Sequence, residues 1–186
     1  MAAALPLASA VAEPRTTLLL KATPRAWHLA SVAVLVILWV LLYFRHVGDL
    51  GLYSDDWGHL QIAETDSFRA MIGNWPMDYR PLEELPWVLF HAVFGQGYGW
   101  YYAVLFRIGL VTALLLYVLV NRVTGQPLLA LGAAILWTVY PADLSQFWLS
   151  GIHFRLGLLF WGLGLVLLTD RRIPANRGYV GALVCC

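Results

Sequence analysis

The sequence predicts an all-α, polytopic membrane protein, and composition is the first observation that leads there. Of the 186 residues, 60% are hydrophobic and only 12% are charged, and the mean hydropathy is +0.68. An average soluble domain carries about 25% charged residues, and it leaves roughly a third of its chain surface in water. A soluble or disordered chain is therefore excluded. Because no polybasic face is present, nucleic acid is not an expected partner.

The second observation is the length of the apolar stretches, since a membrane span needs about 20 predominantly apolar residues. Four stretches qualify or nearly qualify: residues 27–44, 100–120, 127–140 and 153–168. The last two are short, so we expect their ends to extend into the flanking aromatic segments. A fifth apolar stretch begins at Gly178 and stops after nine residues, so we expect a truncated fifth span and a chain that is a fragment of a longer protein.

The third observation is the segregation of charge, which predicts the orientation. Residues 47–99 carry eight acidic and two basic side chains. The basic residues of the N-terminal tail and of the loops after the second and fourth spans fall on one side of a four-span topology, and positive charge marks the cytoplasmic side. The sequence thus predicts a cell (inner) membrane protein with a cytoplasmic N-terminus. It divides into a tail (1–26), a first span (27–46), an outer acidic loop (47–99) and further membrane helices (100–186).

The outer loop is too long for a simple turn and contains helix signals. Ser54 is expected to cap a short helix that runs toward Glu64, and Asp66 or Ser67 to cap a second one. The apolar residues 85–94 are too few to span, and they favour a helix that lies in the membrane interface.

Asp55 and Asp56 are the strongest candidates in the chain for catalysis or ligand binding. Two acids in a first helical turn can simply complement the helix dipole. Alternatively, a carboxylate held just outside the membrane accepts a proton or binds a cation. Neighbouring helix residues project about 100° apart, so we expect one acid to face a substrate and the other to cap or orient. Asp55 is slightly favoured as the reactive one.

The motifs around this pair resemble a known family. YSDDW at residues 53–57 follows one membrane helix, YRPL follows at 79–82, an amphipathic segment ends at Phe94-Gly95, and an outer loop closes with WLSG at 148–151. In order and spacing, residues 27–170 resemble the N-terminal part of the GT-C superfamily of integral-membrane glycosyltransferases, the polyprenyl-linked sugar transferases that include protein mannosyltransferase-like enzymes.

The resemblance implies roles for particular residues. It makes Asp55 and Asp56 the catalytic base or the ligands of a divalent cation such as Mg²⁺ or Mn²⁺, although no metal-ligand spacing is present and the metal site stays unknown. Many relatives place His and Asn at the start of the second span, where this chain has Trp100-Tyr101-Tyr102.

Four further side chains are candidates for substrate binding. Trp57 would stack on a sugar, and His153 and Arg155 would bind the phosphate of a lipid-linked sugar or, alternatively, anchor the helix at the headgroups. Arg80 would contact substrate or pair with the neighbouring Glu83 and Glu84.

Two functional hypotheses follow. The first is a glycosyltransferase, or its N-terminal portion, that moves a sugar from a polyprenyl-phosphate donor in the lipid bilayer to an unidentified acceptor on the non-cytoplasmic face. The second is a non-catalytic multi-pass protein, a transport or scaffold subunit whose acidic loop binds a partner. The sequence does not decide whether the chain alone is an enzyme.

Overall fold

The protein is all-helical, as predicted. A computed structural model describes residues 24–65, 81–140 and 147–170, and these residues contain no strand. Short 3-10 turns lie at Phe44–His46 and Leu149–Gly151. The α-helices are α1 (Pro24–Leu42), α2 (Ser54–Thr65), α3 (Pro81–Phe94), α4 (Tyr98–Thr124), α5 (Pro127–Val139) and α6 (Ile152–Leu168).

Some predictions lie outside the described residues. They are the loop helix expected from Asp66 or Ser67, the side chain of Arg80, and the apolar stretch that begins at Gly178.

Three helical segments in the described part of the chain are long and apolar enough to cross a membrane: Arg25–His46, Tyr98–Thr124 and Leu149–Leu168. The expected extension of the last span is confirmed, because the 3-10 turn before α6 lengthens it to 20 residues.

The expected extension of the third span is not found at its C-terminal end. Helix α5 has 13 residues and stops at Val139, and Tyr140 is in extended conformation. The following residue, Pro141, explains this, because a proline ring clashes with a helical backbone at the preceding residue. Helix α5 is therefore about 20 Å long, shorter than the hydrocarbon core of about 30 Å.

Helix α4 is the centre of the bundle and packs against α5 and α6, while α1 packs against α4 and α5. Gly109 permits the approach of α1, because the indole of Trp39 occupies the space where a Cβ atom would lie. Trp39 is itself buried. Small residues commonly allow such close helix contacts in membranes.

Side-chain contacts mark two ends of the bundle. At the end where α1 begins, which we call the tail end, His28 hydrogen-bonds the hydroxyl of Tyr117 at 2.7 Å. There Arg122 also donates to the carbonyl of Val166 at 2.6 Å and to Asp170 at 3.0 Å, so α4 and α6 finish together. Helices α4 and α6 therefore run parallel, and α5 must run between them in the opposite direction.

The opposite end, which we call the loop end, carries α2, α3 and most of the buried aromatic side chains. The Tyr43 hydroxyl donates to the Thr138 carbonyl at 2.5 Å, and the Tyr102 hydroxyl donates to the Gly51 carbonyl at 2.7 Å. The buried core at this end includes Trp39, Tyr43, Trp87, Tyr101, Tyr102 and Phe106. The first hydrogen bond joins the end of α1 to the end of α5, and the second fixes the acidic loop onto the start of α4.

Helix α3 covers residues 85–94, for which the sequence predicts an interfacial helix. Trp87, Phe90 and Phe94 pack against the aromatic core. On its other side, Leu89 and Val93 are exposed. An apolar residue on each face is the pattern expected when the outer face meets lipid rather than water.

Candidate functional site

Asp56 is fully buried and holds the first turn of α2 against the start of α6. Its Oδ2 accepts the backbone N–H of Tyr53 at 2.9 Å. Its Oδ1 accepts both the backbone N–H and the hydroxyl of Ser150, at 2.9 and 2.6 Å. We call these three residues the Asp56 junction. Because both carboxylate oxygens accept hydrogen bonds from the protein, Asp56 has the geometry of a residue that orients the first turn of α2.

The junction also explains how α2 begins. Helix α2 starts at Ser54, and the Ser54 side chain makes no hydrogen bond with the described residues, so it is not the capping group that we predicted. Instead, the Asp56 carboxylate reaches back to the N–H of the residue before the helix, as the acid of a capping box does. A carboxylate at this position also complements the positive end of the helix dipole.

Asp55 lies in a different environment from its neighbour, as expected for adjacent helix residues. Its side chain is exposed at the loop end. Tyr53 and Trp57, on either side in the sequence, are also exposed, at 60% and 57%. The centroids of the Trp57 ring and of the Tyr98 ring at the start of α4 lie 6.5 Å apart, with the two rings edge to face. The first turn of α2 thus presents one carboxylate and one indole to solvent.

A second polar group lies between the two loop helices and was not predicted. His59 of α2 hydrogen-bonds Glu84 of α3 at 2.8 Å, and its ring stacks on Trp87 at 5.5 Å. Glu84 is 8% exposed, and its Oε2 atom has no hydrogen-bond partner within the described residues. The sequence hypothesis paired Glu84 with Arg80, which the structure does not describe; the observed partner of Glu84 is His59.

His153 and Arg155 lie in the first turn of α6, close to the Asp56 junction in sequence. The Nδ1 atom of His153 is 2.9 Å from the Ser150 carbonyl oxygen. Arg155 is buried at 2% exposure, and its guanidinium carbon lies 6.0 Å from the ring centroid of Trp137. The structure therefore places these two candidate residues on the same helix start that Asp56 anchors.

Arg107 is the remaining cation within a predicted span. It lies on the exposed side of α4 and makes no hydrogen bond or ion pair with the described residues. Arg107 lies in the half of α4 nearer the loop end, from which a long side chain can extend toward lipid headgroups.

The described residues do not form a metal site. No group of three His, Cys, Asp or Glu side chains within this part of the chain is arranged to hold a metal ion. Both carboxylate oxygens of Asp56 already accept hydrogen bonds from the protein. We therefore derive no catalytic step from a divalent cation.

Sequence reasoning missed the two partners that build this region, Ser150 and His59. Ser150 belonged to the WLSG motif, but nothing in the sequence identified it as the partner of Asp56. For His59 no sequence signal was available.

Comparison with protein families, with curated proteins and with solved structures finds no match for this chain.

Proposed function

We propose that the chain is a membrane glycosyltransferase that moves a sugar from a polyprenyl-phosphate carrier to an acceptor on the non-cytoplasmic face. The observation that carries the proposal is the separation of the acidic pair. Asp56 is fixed by three hydrogen bonds, whereas Asp55 is exposed on the same helical turn as the exposed ring of Trp57. Aromatic rings stack on the C–H faces of sugars, and a carboxylate accepts hydrogen bonds from sugar hydroxyls.

The proposal includes a topology with four crossings and a cytoplasmic N-terminus. Its support is that α4 and α6 finish together through Arg122 and Asp170, which requires the chain to return through α5. Arg25 and Arg122 then lie at the tail end, and positive charge favours the cytoplasmic side. Asp55 consequently lies on the outer side, where a lipid-linked donor and a water-borne acceptor can meet.

In the proposed reaction Asp55 is the general base. Its carboxylate takes the proton from an acceptor hydroxyl while the acceptor oxygen attacks the anomeric carbon of the sugar. The bond from that carbon to the phosphate oxygen breaks, and polyprenyl phosphate leaves with the electron pair. Asp56 positions the turn that carries Asp55, and the cation of Arg155 lies at the start of α6, where it favours departure of the phosphate.

The test is a transfer assay on membranes that contain the full chain. Radiolabelled polyprenyl-phosphate sugars serve as donors, and transfer of label from the lipid to a water-soluble or protein fraction is measured. We expect Asp55→Asn to reduce transfer by about 10²–10⁴-fold, the usual contribution of a general base. Asp49→Asn is the matched control, because Asp49 is an equally exposed acid of the same loop.

The outcome separates the two hypotheses. If Asp49→Asn retains sugar transfer and Asp55→Asn loses it, the result supports the glycosyltransferase hypothesis. If Asp55→Asn transfers sugar within a few-fold of the unaltered chain, Asp55 is not the base. If folded protein transfers sugar from none of the donors, the non-catalytic hypothesis, in which the acidic loop binds a partner, is preferred.

A further inference from the structure

The charged residues of α4 and α6 lie at two levels of the bundle. On α4, Arg107 and Arg122 flank the uncharged residues 108–121, and the helical rise places their Cα atoms about 22 Å apart. On α6, Arg155 and Asp170 have the same separation in the sequence. The uncharged part of each helix is therefore about 8 Å shorter than the hydrocarbon core of an average bilayer, which is about 30 Å thick.

The other two bundle helices have a similar uncharged length. On α1 and the turn that follows it, the uncharged residues 29–44 separate His28 from Arg45, a distance of about 26 Å at the helical rise. Helix α5 is bounded by the exposed residues Gln126 and Tyr140, which are about 21 Å apart. The short uncharged length is thus common to all four helices and is not a peculiarity of α5.

Contacts between the helices show that their boundaries coincide. At the tail end, the Arg122 guanidinium donates to Asp170 at 3.0 Å, so α4 and α6 reach this boundary together. At the loop end, the rings of Phe44 and Phe106 meet edge to face with centroids 6.0 Å apart, and each directly precedes the boundary arginine of its helix. A hydrogen bond joins the end of α5 to the end of α1 at this boundary. The four helices therefore share one hydrophobic belt, which we define as the bundle surface between the two levels of charge.

Extended side chains do not lengthen this belt at two of its boundary residues. A long cation can carry its charge outward from the hydrocarbon core. The Arg122 guanidinium is instead bonded to the Val166 carbonyl, one helical turn before Asp170 on α6. The Arg155 guanidinium carbon lies 6.0 Å from the centroid of the Trp137 ring. Because both charges are held against the bundle, the boundaries lie close to the Cα positions of these residues.

The outside of the belt is apolar on every helix. Between the two levels, Ile37 of α1, Val111 of α4, Leu136 of α5 and Trp161 of α6 are all exposed. A surface of this kind contacts lipid chains, and a hydrophobic surface that is shorter than the bilayer is accommodated by local thinning of the bilayer.

We infer that the bundle fits a bilayer whose hydrocarbon core is about 22–26 Å thick, and that its belt binds lipids with short acyl chains in preference to long ones. In a thicker membrane the protein thins the bilayer at its surface. The inference concerns the lipid-facing surface, so it holds whether or not the chain transfers a sugar.

The test is the stability of the full chain in vesicles of dimyristoleoyl, dioleoyl or dierucoyl phosphatidylcholine. These lipids share a headgroup and one cis double bond per chain, and they differ in chain length. We expect the unfolding temperature to be highest in the dimyristoleoyl lipid and about 10 °C lower in the dierucoyl lipid, because each ångström of mismatch lowers stability.

A pair of double variants shows whether the charged boundary sets this preference. Arg45→Leu combined with Arg107→Leu removes the outer boundary charge from two of the four helices, and both side chains are exposed. The optimum should then move from the dimyristoleoyl to the dioleoyl lipid. Arg45→Lys combined with Arg107→Lys keeps both charges and is the matched control, with the optimum of the unaltered chain.

A second measurement examines the thinning directly and does not depend on stability. In dioleoyl phosphatidylcholine nanodiscs, which leave both faces open to water, cysteines replace Gln126, Tyr140 or Gly132 in a chain whose two native cysteines are serine. An impermeant maleimide should label both ends of α5, at Gln126→Cys and Tyr140→Cys. Gly132→Cys, in the exposed middle of the helix, should stay unlabelled.

Three results would overturn the inference. One is an unfolding temperature that is independent of chain length or highest in the dierucoyl lipid. Another is an identical optimum for the Leu and Lys double variants. The third is protection of either end of α5 in the dioleoyl nanodiscs, since the bilayer would then cover a helix end without thinning.

Discussion

Asp56 and Ser150 lie 94 residues apart in the sequence, and two hydrogen bonds of 2.9 and 2.6 Å join them. The carboxylate belongs to the first turn of the outer loop helix, and the serine to the turn that precedes α6. This contact fixes the loop to the membrane bundle. The neighbouring Asp55 therefore has a defined position relative to α6 although its own side chain is exposed.

Asp56→Asn is expected to destabilise the protein by about 2–4 kcal/mol. The amide keeps one acceptor oxygen, but its NH₂ group then faces a backbone N–H, and buried donors without partners cost about 1–3 kcal/mol each. Thermal unfolding in detergent, followed by tryptophan fluorescence, measures the loss. Asp55→Asn is the control, because an exposed side chain away from packing changes stability within about 0.5 kcal/mol. Equal melting temperatures for the two variants would contradict the anchoring role of Asp56.

Hydropathy and charge were sufficient to predict the all-helical class and the approximate limits of the membrane helices, because burial in lipid requires long apolar segments. The length of α5 was harder, since the restriction that Pro141 imposes on Tyr140 outweighed the apolar pattern. The different surroundings of Asp55 and Asp56 were expected from helix geometry alone. The sequence did not predict which of the two acids is buried. That depends on Ser150, which comes close to Asp56 only because the chain returns through α5.

The pairing of His59 with Glu84 shows the same limit. Both side chains are mostly buried, at 14% and 10% exposure, yet each is a polar residue in a loop with many acids. Nothing in the local sequence of α2 indicates that it packs against α3. The segment that connects α2 and α3 has 15 residues and lies outside the described structure. The contact between the two helices depends on tertiary packing, and the periodicity of apolar residues along the sequence does not predict it.

His59→Ala is expected to destabilise the contact between α2 and α3 by about 2–4 kcal/mol. The substitution removes a hydrogen bond to a carboxylate, worth about 1.5–3 kcal/mol, and a ring contact with Trp87, worth about 0.5–1.5 kcal/mol. Limited proteolysis of the loop and thermal unfolding report the change. His46→Ala is the control, because His46 is 42% exposed and lies 3.6 Å from Asp49, and such surface pairs contribute at most about 1 kcal/mol. A control variant as labile as His59→Ala would argue against the pairing.

Gly109→Ala is expected to weaken the packing of α1 on α4. The added methyl group would overlap the indole of Trp39, which is 1% exposed and has no room to move. Overpacking of this kind costs about 1–3 kcal/mol. The melting temperature in detergent or nanodiscs measures it. Gly132→Ala on α5 provides the comparison, since a Cβ there meets no atom within 4 Å; it should leave stability unchanged or raise it slightly. A melting temperature of Gly109→Ala equal to that of Gly132→Ala would show that the two helices are not in close contact at this point.

The sidedness of the proposed reaction gives the final prediction. The loop end and the tail end must face opposite sides of the membrane if α4 spans it. Cysteines at Asp49, an exposed loop residue, and at Gln126, an exposed residue between α4 and α5, therefore report the two sides. Both substitutions are made after replacement of Cys185 and Cys186 by serine, so that no native thiol reacts.

On intact cells an impermeant maleimide should label Asp49→Cys and not Gln126→Cys, because Lys and Arg at the tail end favour the cytoplasmic side. After lysis both should react, which controls for the reactivity of each thiol. The reverse pattern would place Asp55 in the cytoplasm and exclude transfer on the outer face. Labelling of both cysteines on intact cells would mean that α4 does not span the membrane. Either result would contradict the proposal that Asp55 lies on the outer side, where a lipid-linked donor and an acceptor react. The stability measurements on Asp56 would not change that conclusion.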